Sequence, residues 1–362
     1  ANMTFAGVNL AEAEFNNVTF TSSAGTAQTF TMVTRGLSVG GTLLTIDASS
    51  TSTLDTSVSN LFITAVNLTV DVGGGLIANG STITMDGNWN SSGGTFTYGT
   101  STVVFAANAN ITTAGTEFWV SRLYNLTVNV GVTVTMINNF NVNNVTTING
   151  TLTGAGLTVG LCYENGVQTN PLVWGGAGSA SGILQMVIAC AVNFNIPPSA
   201  NYPALYISPR GAAVMATVTG NITSTNPAGI SSICAGDGVG NVGTCSFGAN
   251  DWTVVGGNGL QVGTAVNQHG ILTFSTGVLS ITGNVNVASV TSAIQFGSGG
   301  HTVTGSWTNS TTSAVNWDAG TGTVTFDAGV NSTMTFAGGN LAENEFNNVT
   351  FASSAAGSQT FT

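Results

Sequence analysis

The segment Asn125-Leu-Thr-Val-Asn-Val130 carries the local pattern that decides the fold. Apolar and polar residues alternate along it, so Leu126, Val128 and Val130 are expected on one face of an extended strand, with Thr127 and Asn129 on the other. This period of two is that of a β-strand. No segment of the chain shows a convincing period of 3.6, which an amphipathic helix would require. The sequence therefore predicts an all-β protein.

The same alternation recurs along the chain in short runs. Pairs such as Gly-Gly, Asn-Gly and Gly-Ser separate the runs, as tight turns between short strands require. Threonines at the intervening positions, among them Thr325 and Thr350, are expected to face outward. The other residues expected to face inward are Leu44, Ile46, Val132, Val134, Met136, Leu279, Ile281, Val324, Phe326, Val349 and Phe351.

The chain repeats its own beginning. Residues Met3–Thr31 return as Met334–Thr362 at a constant offset of 331, and 23 of the 29 positions are identical without a gap. A looser repeat inside that period places a Gly-x-Trp motif, which ends at Trp89 or Trp307, before a Gly-Thr-rich strand and a Gly-Thr-Leu run. Loops between stacked structural units tolerate the variable spacing of these motifs. We expect one period, with an overlap, of a longer tandem array; the alternative is a subunit whose similar ends stack head to tail.

Two all-β architectures fit this pattern. In a β-solenoid, or parallel β-helix, short strands coil and each turn pairs with the next. The alternative is a series of tandem β-sandwich domains. Short strands, outward Thr and Asn positions that can form ladders, and small insertions between repeats favour the solenoid. Its strands should stack about 4.8 Å apart, with roughly 20 residues per turn.

Charge is scarce and mainly negative. The 362 residues include 14 Asp and Glu but only three Lys and Arg, and charged residues make up 5% of the chain, against about 25% in an ordinary soluble domain. Identical charges stacked from turn to turn would repel each other, which fits a solenoid. A net charge of -11 with three cations excludes a nucleic-acid partner, since it cannot neutralise a phosphate backbone. The sequence also contains no apolar run long enough to span a membrane.

Composition divides the chain into three expected regions. Residues 1–160 and 251–362 carry the solenoid repeats, and residues 334–362 repeat residues 3–31. Residues 161–250 contain all six prolines and all four cysteines, so we expect a Cys/Pro-rich inserted or divergent β subdomain there, less regular than the rest.

The cysteines favour disulfides formed in an oxidising compartment. Their number is even, and a Cys-x-x-Cys spacing typical of zinc or redox sites is absent. Cys162 with Cys190 and Cys234 with Cys245 are the sequence-local pairs, although three connectivities are possible.

Residue types that carry catalysis are present but scattered. Gly238-x-Gly240-x-x-Gly243 lacks the strand-to-helix context of a dinucleotide site, and serine-nucleophile motifs are absent. His269 and His301 have no third ligand nearby in sequence, so surface positions are expected rather than a metal pair. Trp89 and Trp307 occupy the same repeat position, which favours core packing over sugar stacking. We therefore expect no enzymatic activity, catalytic residue, metal or cofactor.

The carboxylates likewise form no cluster of the kind that polysaccharide-cleaving enzymes need. Glu12 with Glu14, and their repeats Glu343 with Glu345, are the only close pairs, and a solvated repeated loop is expected for them rather than a cation site. The remaining acids considered are Asp47, Asp55, Asp71, Asp86, Glu117, Glu164, Asp237, Asp251, Asp318 and Asp327.

Asn-x-Ser/Thr sequons are frequent, but a chain this rich in Asn, Ser and Thr contains about as many by chance. They are compatible with a glycosylated secreted protein without requiring one. The candidate glycosylation sites include Asn17, Asn67, Asn125, Asn144, Asn221, Asn309 and Asn348.

The order of Gly-x-Trp, Gly-Thr-Gly-Thr-Val-Thr-Phe, Phe-Asn-Asn-Val-Thr-Phe and Gly-Thr-Leu resembles the Thr/Asn/Gly-rich repeats of large secreted surface proteins, filament proteins and adhesin-like β-solenoids of bacteria and archaea. The resemblance covers residues 1–160 and 251–362. It implies an extracellular or cell-surface structural or adhesive role.

Three functions are consistent with these features. The first is a non-enzymatic structural unit of a fibre, sheath or stalk, whose partner is another copy of itself. The second is an adhesin that binds glycan or a cell surface through residues 161–250. The third is a polysaccharide-acting β-helix, in which Asp251 or Glu117 would contribute to activity.

Overall fold

A computed structural model gives the structure of the chain. It describes residues 2–3, 14–22, 26–46, 52–115, 121–163, 167–211, 213–225, 233–234, 241–256, 259–264, 268–312, 316–328, 331–336, 345–354 and 359–362. The chain forms two compact units: unit 1 comprises residues 1–160 and 173–182, and unit 2 comprises residues 161–172 and 183–362. The expected division into residues 1–160, 161–250 and 251–362 stays a prediction.

Unit 1 consists of short strands. They are β1 (Asn2–Met3), β2 (Glu14–Phe20), β3 (Gln28–Met32), β4 (Leu37–Ile46), β5 (Ser52–Asp55), β6 (Ile63–Ala65), β7 (Leu68–Val70), β8 (Gly75–Ile77), β9 (Thr82–Met85), β10 (Trp89–Asn90), β11 (Thr95–Thr97), β12 (Thr102–Phe105), β13 (Ala109–Thr112), β14 (Arg122–Leu123), β15 (Asn125–Val128), β16 (Thr133–Met136), β17 (Phe140–Val142), β18 (Thr146–Ile148), β19 (Thr151–Thr153), β20 (Thr158–Leu161), β21 (Leu172–Trp174) and β22 (Ser179–Ser181).

Successive turns of unit 1 place their strands in parallel ladders. One ladder runs β1-β3-β5-β8-β11, a second β4-β6-β9-β12-β15-β18-β21, and a third β4-β7-β10-β13-β16-β19-β22. The long strand β4 belongs to two of them, because Leu37 pairs with Ile63 and Leu44 pairs with Leu68. Strand β2 pairs with β4, and β14 pairs with β17. Unit 1 is therefore a coil of stacked turns.

Unit 2 is built from strands of similar length. They are β23 (Gln185–Ile188), β24 (Phe194–Ile196), β25 (Ser199–Tyr202), β26 (Ala204–Ile207), β27 (Met215–Val218), β28 (Ile222–Thr225), β29 (Ile233–Cys234), β30 (Val242–Gly248), β31 (Trp252–Val255), β32 (Leu260–Val262), β33 (His269–Phe274), β34 (Leu279–Ile281), β35 (Val285–Val287), β36 (Ala293–Gln295), β37 (Gly300–Val303), β38 (Trp307–Asn309), β39 (Thr323–Asp327), β40 (Met334–Phe336) and β41 (Asn348–Ala352).

Three ladders also form unit 2. They run β23-β26-β29-β32-β35-β38-β40, β24-β27-β30-β33-β36 and β25-β28-β31-β34-β37-β39-β41. The pairing is parallel, as for Trp252 beside Leu279 and Val324 beside Val349. Sandwich domains of the immunoglobulin type would pair antiparallel strands instead. The described residues form a β-solenoid and contain no helix, as the sequence predicted.

The length of a turn differs along the chain. Ile63 lies beside Ile83, and Ile83 lies beside Val103, so these turns of unit 1 contain the expected 20 residues. In unit 2, Cys234 lies beside Val262, a turn of 28 residues. Strand β30 contributes seven residues to this longer turn, whereas β6, β7 and β8 have three residues each, so part of the additional length lies in the strands.

Alternation along each strand separates the interior from the surface. Leu126 and Val128 are fully buried, and so are Val134 and Leu279. The outward positions align into hydroxyl ladders, such as Thr302 with Thr325 and Thr325 with Thr350. Buried side chains confirm the inward prediction for Leu44, Ile46, Leu126, Val128, Val132, Val134, Met136, Leu279, Ile281, Val324 and Phe326.

The inward prediction is wrong for Val130, and Val349 and Phe351 are exposed although their register is inward. Val130 is 74% exposed because it lies in the turn after β15, before Gly131, whose φ of +75° ends the strand. Val349 and Phe351 keep the inward register, beside Val324 and Phe326. They are nevertheless exposed, because β41 is the last strand of its ladder among the described residues.

The described strands of the cysteine- and proline-rich residues pair in parallel ladders. Ile222 pairs with Trp252 across the expected boundary at residue 250. The described prolines lie outside the strands, which confirms their expected position in loops; they are Pro171, Pro197, Pro198, Pro203 and Pro209. The disulfides Cys162–Cys190 and Cys234–Cys245 both lie in unit 2, and they are the sequence-local pairs.

Asparagine side chains stabilise the corners between strands. The Asn67 Oδ1 atom accepts a hydrogen bond from the Asn88 N–H at 2.8 Å, and the Asn88 Oδ1 atom accepts one from the Asn110 N–H at 2.8 Å. The Ser306 N–H donates to Asn284 Oδ1 in the same way in unit 2. At a corner between two strands, a backbone N–H lacks the carbonyl acceptor that it would have inside a ladder. The asparagine side-chain oxygens provide that acceptor. The high asparagine content therefore has a structural cause.

Candidate interaction surfaces

Strand β41 carries exposed apolar side chains. Phe351 is 56% exposed, and Val349 is also exposed. The Phe351 ring packs on one side against Phe326 and on the other against Phe361, with ring centroids 5.7 and 4.9 Å apart. Among the described residues no strand pairs with the outer edge of β41, so this edge offers backbone hydrogen-bonding groups beside an apolar surface.

The first copy of the same sequence has a different environment. Phe20 is the counterpart of Phe351 at the offset of 331, and it is only 6% exposed. It pairs with Ile46 of β4, which covers it, and its ring packs against Phe30 at 5.3 Å, as Phe351 packs against Phe361. Identical residues are therefore buried where a turn follows and exposed where the structure shows none.

A cavity of about 220 Å³ opens in unit 1 near β11 and β14. Its lining combines hydroxyl groups, an aromatic ring and a guanidinium group; the residues are Ser91, Gly94, Thr95, Phe96, Thr113, Ala114, Ser121 and Arg122. The Ser121 side chain is buried, and its Oγ atom has no hydrogen-bond partner within the structure. Hydroxyl groups, an aromatic face and a cation are the groups that recognise a sugar or another small polar ligand.

Both histidines are buried, so their predicted surface positions are wrong. The His301 Nδ1 atom accepts the Leu279 N–H at 3.1 Å, and its Nε2–H donates to the Phe296 carbonyl at 2.8 Å. His269 Nδ1 is hydrogen-bonded to Ser289 Oγ. Each ring takes an inward strand position and satisfies its polar atoms locally, which sequence spacing could not reveal. Burial lowers the pKa of His301, and its bond to the Phe296 carbonyl partly opposes that shift.

Two of the described acids accept backbone N–H groups in turns. Asp251 accepts the Val278 N–H at 2.8 Å, and Asp327 accepts the Ser354 N–H at 2.7 Å. In the described part of the chain, no three His, Cys, Asp or Glu side chains form a group that could hold a metal. Asp47, Glu117, Glu164 and Asp237, together with Glu12, Glu343, Gly238 and Gly240 of the motifs above, lie outside the described residues.

The candidate glycosylation sites differ in exposure. Asn17, Asn221 and Asn348 are exposed, whereas Asn67, Asn125 and Asn144 are half-buried. Asn144 Nδ2 donates to Asn125 Oδ1 at 2.7 Å, which ties these two amides to each other in the folded chain. Asn309 is fully buried, and its Oδ1 atom accepts the Thr311 N–H, so the folded chain offers no access for a glycan there.

The tryptophans of the repeat motif belong to the core, as predicted. Trp89 and Trp307 are both fully buried. Trp89 packs edge-on against Phe96, and its Nε1–H donates to Ser91 Oγ at 3.0 Å. Trp307 packs edge-on against Phe326. Buried rings cannot stack on a sugar in solution, so the motif serves packing.

Comparisons of the chain with protein-family models, with curated proteins and with solved structures gave no significant match. Within the described stretches, no helix has the length and apolar character needed to cross a membrane.

Proposed function

We propose that the chain is a non-enzymatic structural protein of the cell exterior, a repeat unit of a surface fibre, sheath or stalk in which copies join by end-to-end β stacking. The observation that carries this proposal is the open edge of β41, with Phe351 exposed beside it. An uncovered parallel edge recruits a further strand. Contact between unlike ends of successive copies is heterologous, and such contacts build open filaments.

Two further features support the proposal. Disulfides such as Cys162–Cys190 persist in oxidising compartments, where surface filaments assemble. Charged residues make up only 5% of the chain, so copies stacked in register bring few like charges together.

Electron microscopy and sedimentation of the purified chain test the proposal. Filaments are expected above a threshold concentration, with subunits repeating along one axis. Phe351→Asp places a charge on the exposed edge and should raise that threshold at least tenfold. Val130→Asp is the matched control, because Val130 is also exposed but lies in a turn of unit 1. A chain that stays monomeric at every accessible concentration contradicts the proposal.

Glycan binding by an adhesin is a second candidate, and the cavity near Arg122 favours it. Screening the chain against a panel of neutral and acidic sugars, followed by titration calorimetry, provides the test. Binding that Arg122→Ala weakens at least tenfold supports recognition in this cavity. Binding that this variant leaves unchanged points to residues 161–250 instead, and the absence of any saturable binding removes this candidate.

A further inference from the structure

One ladder of unit 2 carries a row of hydroxyl groups on its outer face. Thr302 lies between the buried residues His301 and Val303, so its side chain points outward. Each of six successive strands contributes one side chain of this kind, and the described pairings from β28 to β41 continue without a register shift. The members of this first row, in ladder order, are Thr223, Thr253, Ser280, Thr302, Thr325 and Thr350.

A second row lies two residues further along the same turns. Over β28, β31, β34 and β37 it consists of Thr225, Val255, Thr282 and Thr304. The two rows of these four turns therefore combine seven hydroxyl groups with one valine, and none of the eight side chains is charged. Asp327, on the following turn, is the first charged residue of the second row. Because the chain has 14 acids, a neutral face of this length is a distinct feature of the surface.

The hydroxyl groups of the first row are available to solvent at fixed positions. Thr253, Thr302 and Thr325 are half-buried, and Thr350 is exposed. Within the described part of the chain, the hydroxyl groups of Thr253, Thr302 and Thr325 form no hydrogen bond. Threonine is stiff at χ1, since two heavy atoms branch at its Cβ. Strand pairing and side-chain stiffness together hold these hydroxyl groups in a regular array.

From this array we propose that the outer face of this ladder binds the surface of ice, a property beyond the proposed structural role and independent of it. Neighbouring parallel strands lie about 4.8 Å apart, and alternate residues of one strand about 6.6 Å apart. Oxygen atoms in planes of hexagonal ice repeat at similar distances along two perpendicular directions. Water bound to the hydroxyl rows is therefore already close to ice-like positions, and little further ordering is needed when it joins a crystal.

A crystalline polysaccharide is the alternative partner for a neutral, hydroxyl-bearing face. Sugar sites usually combine a few polar groups with aromatic or apolar surface that covers the ring faces. The eight positions of the two rows include no aromatic side chain, and the aromatic residues Trp252 and Phe326 of the same ladder are buried. An ice surface requires only regularly spaced hydrogen-bonding groups and no charge, so ice is the favoured partner.

A bulky substitution in the middle of the first row tests the assignment. Thr302→Tyr keeps a residue that favours strands, but its ring projects above the row and prevents flat contact with a crystal. Thr273→Tyr is the matched control, because Thr273 also lies between buried residues of a unit 2 strand. Thr253→Tyr is a second variant of the first row, and circular dichroism establishes that each variant is folded. The partners in the row of Thr273 are mixed in type: Asn195, Thr217, Ser246 and Gln295.

The growth of single ice crystals in a dilute solution of the full chain gives the result. We expect faceted crystals and a freezing point below the melting point. Thr302→Tyr and Thr253→Tyr should reduce that gap by at least half, whereas Thr273→Tyr should leave it unchanged.

Three results would overturn the proposal. Rounded crystals without a gap, grown with the unchanged chain, exclude ice binding. A gap that the two variants of the first row leave intact, or that all three variants reduce equally, excludes this face as the site. Co-sedimentation of the unchanged chain with microcrystalline cellulose or chitin, without any effect on ice, indicates a polysaccharide partner instead. None of these results depends on whether the chain forms filaments.

Discussion

The environment of His301 allows only the neutral ring. Its Nδ1 atom accepts the Leu279 N–H, so that nitrogen cannot carry a proton while the bond exists. The Nε2–H donates to the Phe296 carbonyl, and the Phe274 and Phe296 rings pack edge-on against the imidazole. Burial among these groups lowers the pKa of His301 in the folded chain.

Folding should therefore weaken as His301 becomes protonated. A depressed folded-state pKa means that the unfolded chain binds the proton more readily. The stabilisation is complete above the unfolded value of about 6.5 and is lost as the pH falls from there through the folded pKa. The free energy of unfolding should fall in that window by at most about 1.4 kcal/mol per pH unit from this group.

Urea unfolding at a series of pH values checks this expectation. His301→Gln has no titrating ring, so its free energy of unfolding should change less steeply below about pH 6.5 than that of the unchanged chain. Both proteins retain His269, so the difference between their slopes does not depend on it. Equal slopes in the two proteins would show that His301 titrates normally.

Prediction from sequence is most accurate for residues in the middle of a strand. Leu126 and Val128 were placed correctly because the alternation acts within β15. Val130 was not, because the alternation was extended past the end of the strand, although Gly131 marks that turn in the sequence. The histidines were missed for another reason: only the fold shows that a backbone N–H and a carbonyl lie within reach of the His301 ring.

At the scale of elements, the two disulfides close loops of different length. Cys162 and Cys190 are 28 residues apart, and Cys234 and Cys245 are 11 apart. A cross-link stabilises mainly by restricting the unfolded chain, and more so for the longer loop. Replacing Cys162 and Cys190 by alanine should lower the free energy of unfolding by about 3–4 kcal/mol, and replacing Cys234 and Cys245 by about 3 kcal/mol.

Chemical unfolding of the two double variants, monitored by near-UV circular dichroism, measures this difference. The unchanged chain with intact disulfides is the reference, and the same chain under reducing conditions should lose at least as much stability as either variant. A smaller loss from the 28-residue loop than from the 11-residue loop would contradict the chain-entropy explanation.

Sequence reasoning at this scale identified the sequence-local cysteine pairs. The separate Cys/Pro-rich subdomain stays a prediction, and strands β23–β30 pair in the same ladders as the strands that follow. The prolines lie between strands, as at Pro203 between β25 and β26, and so do not interrupt the pairing. Amino-acid composition indicates which residues lie in loops. It does not show whether the strands that those loops connect pair in a ladder.

At the scale of the whole chain, the sequence repeat predicted more of the fold than any single motif did. Stacked turns were indicated by the match of Met3–Thr31 with Met334–Thr362 and by the expected turn of about 20 residues. Parallel ladders are present in both units. The edge of β41 could not be predicted from sequence, because identical residues are buried in the first copy and exposed in the second. Exposure depends on whether another turn covers the strand, and the described residues contain such a turn only for the first copy.

Strand β41, which has one paired neighbour among the described strands, should accordingly be less protected than strands with two. In a protein of stacked turns, each turn is stabilised mainly by its two neighbours, so a turn with one neighbour opens most easily. Amides of Asn348–Ala352 should exchange with deuterium at least tenfold faster than those of β34 (Leu279–Ile281), which has strands on both sides. Mass spectrometry of peptic fragments measures both segments in one dilute sample.

On assembly the protection of Asn348–Ala352 should rise while that of β34 stays constant, because a new strand satisfies the open edge. Equal protection of the two segments in the unassembled chain would contradict the open edge. A β41 that stays unprotected in assembled material would show that copies join elsewhere.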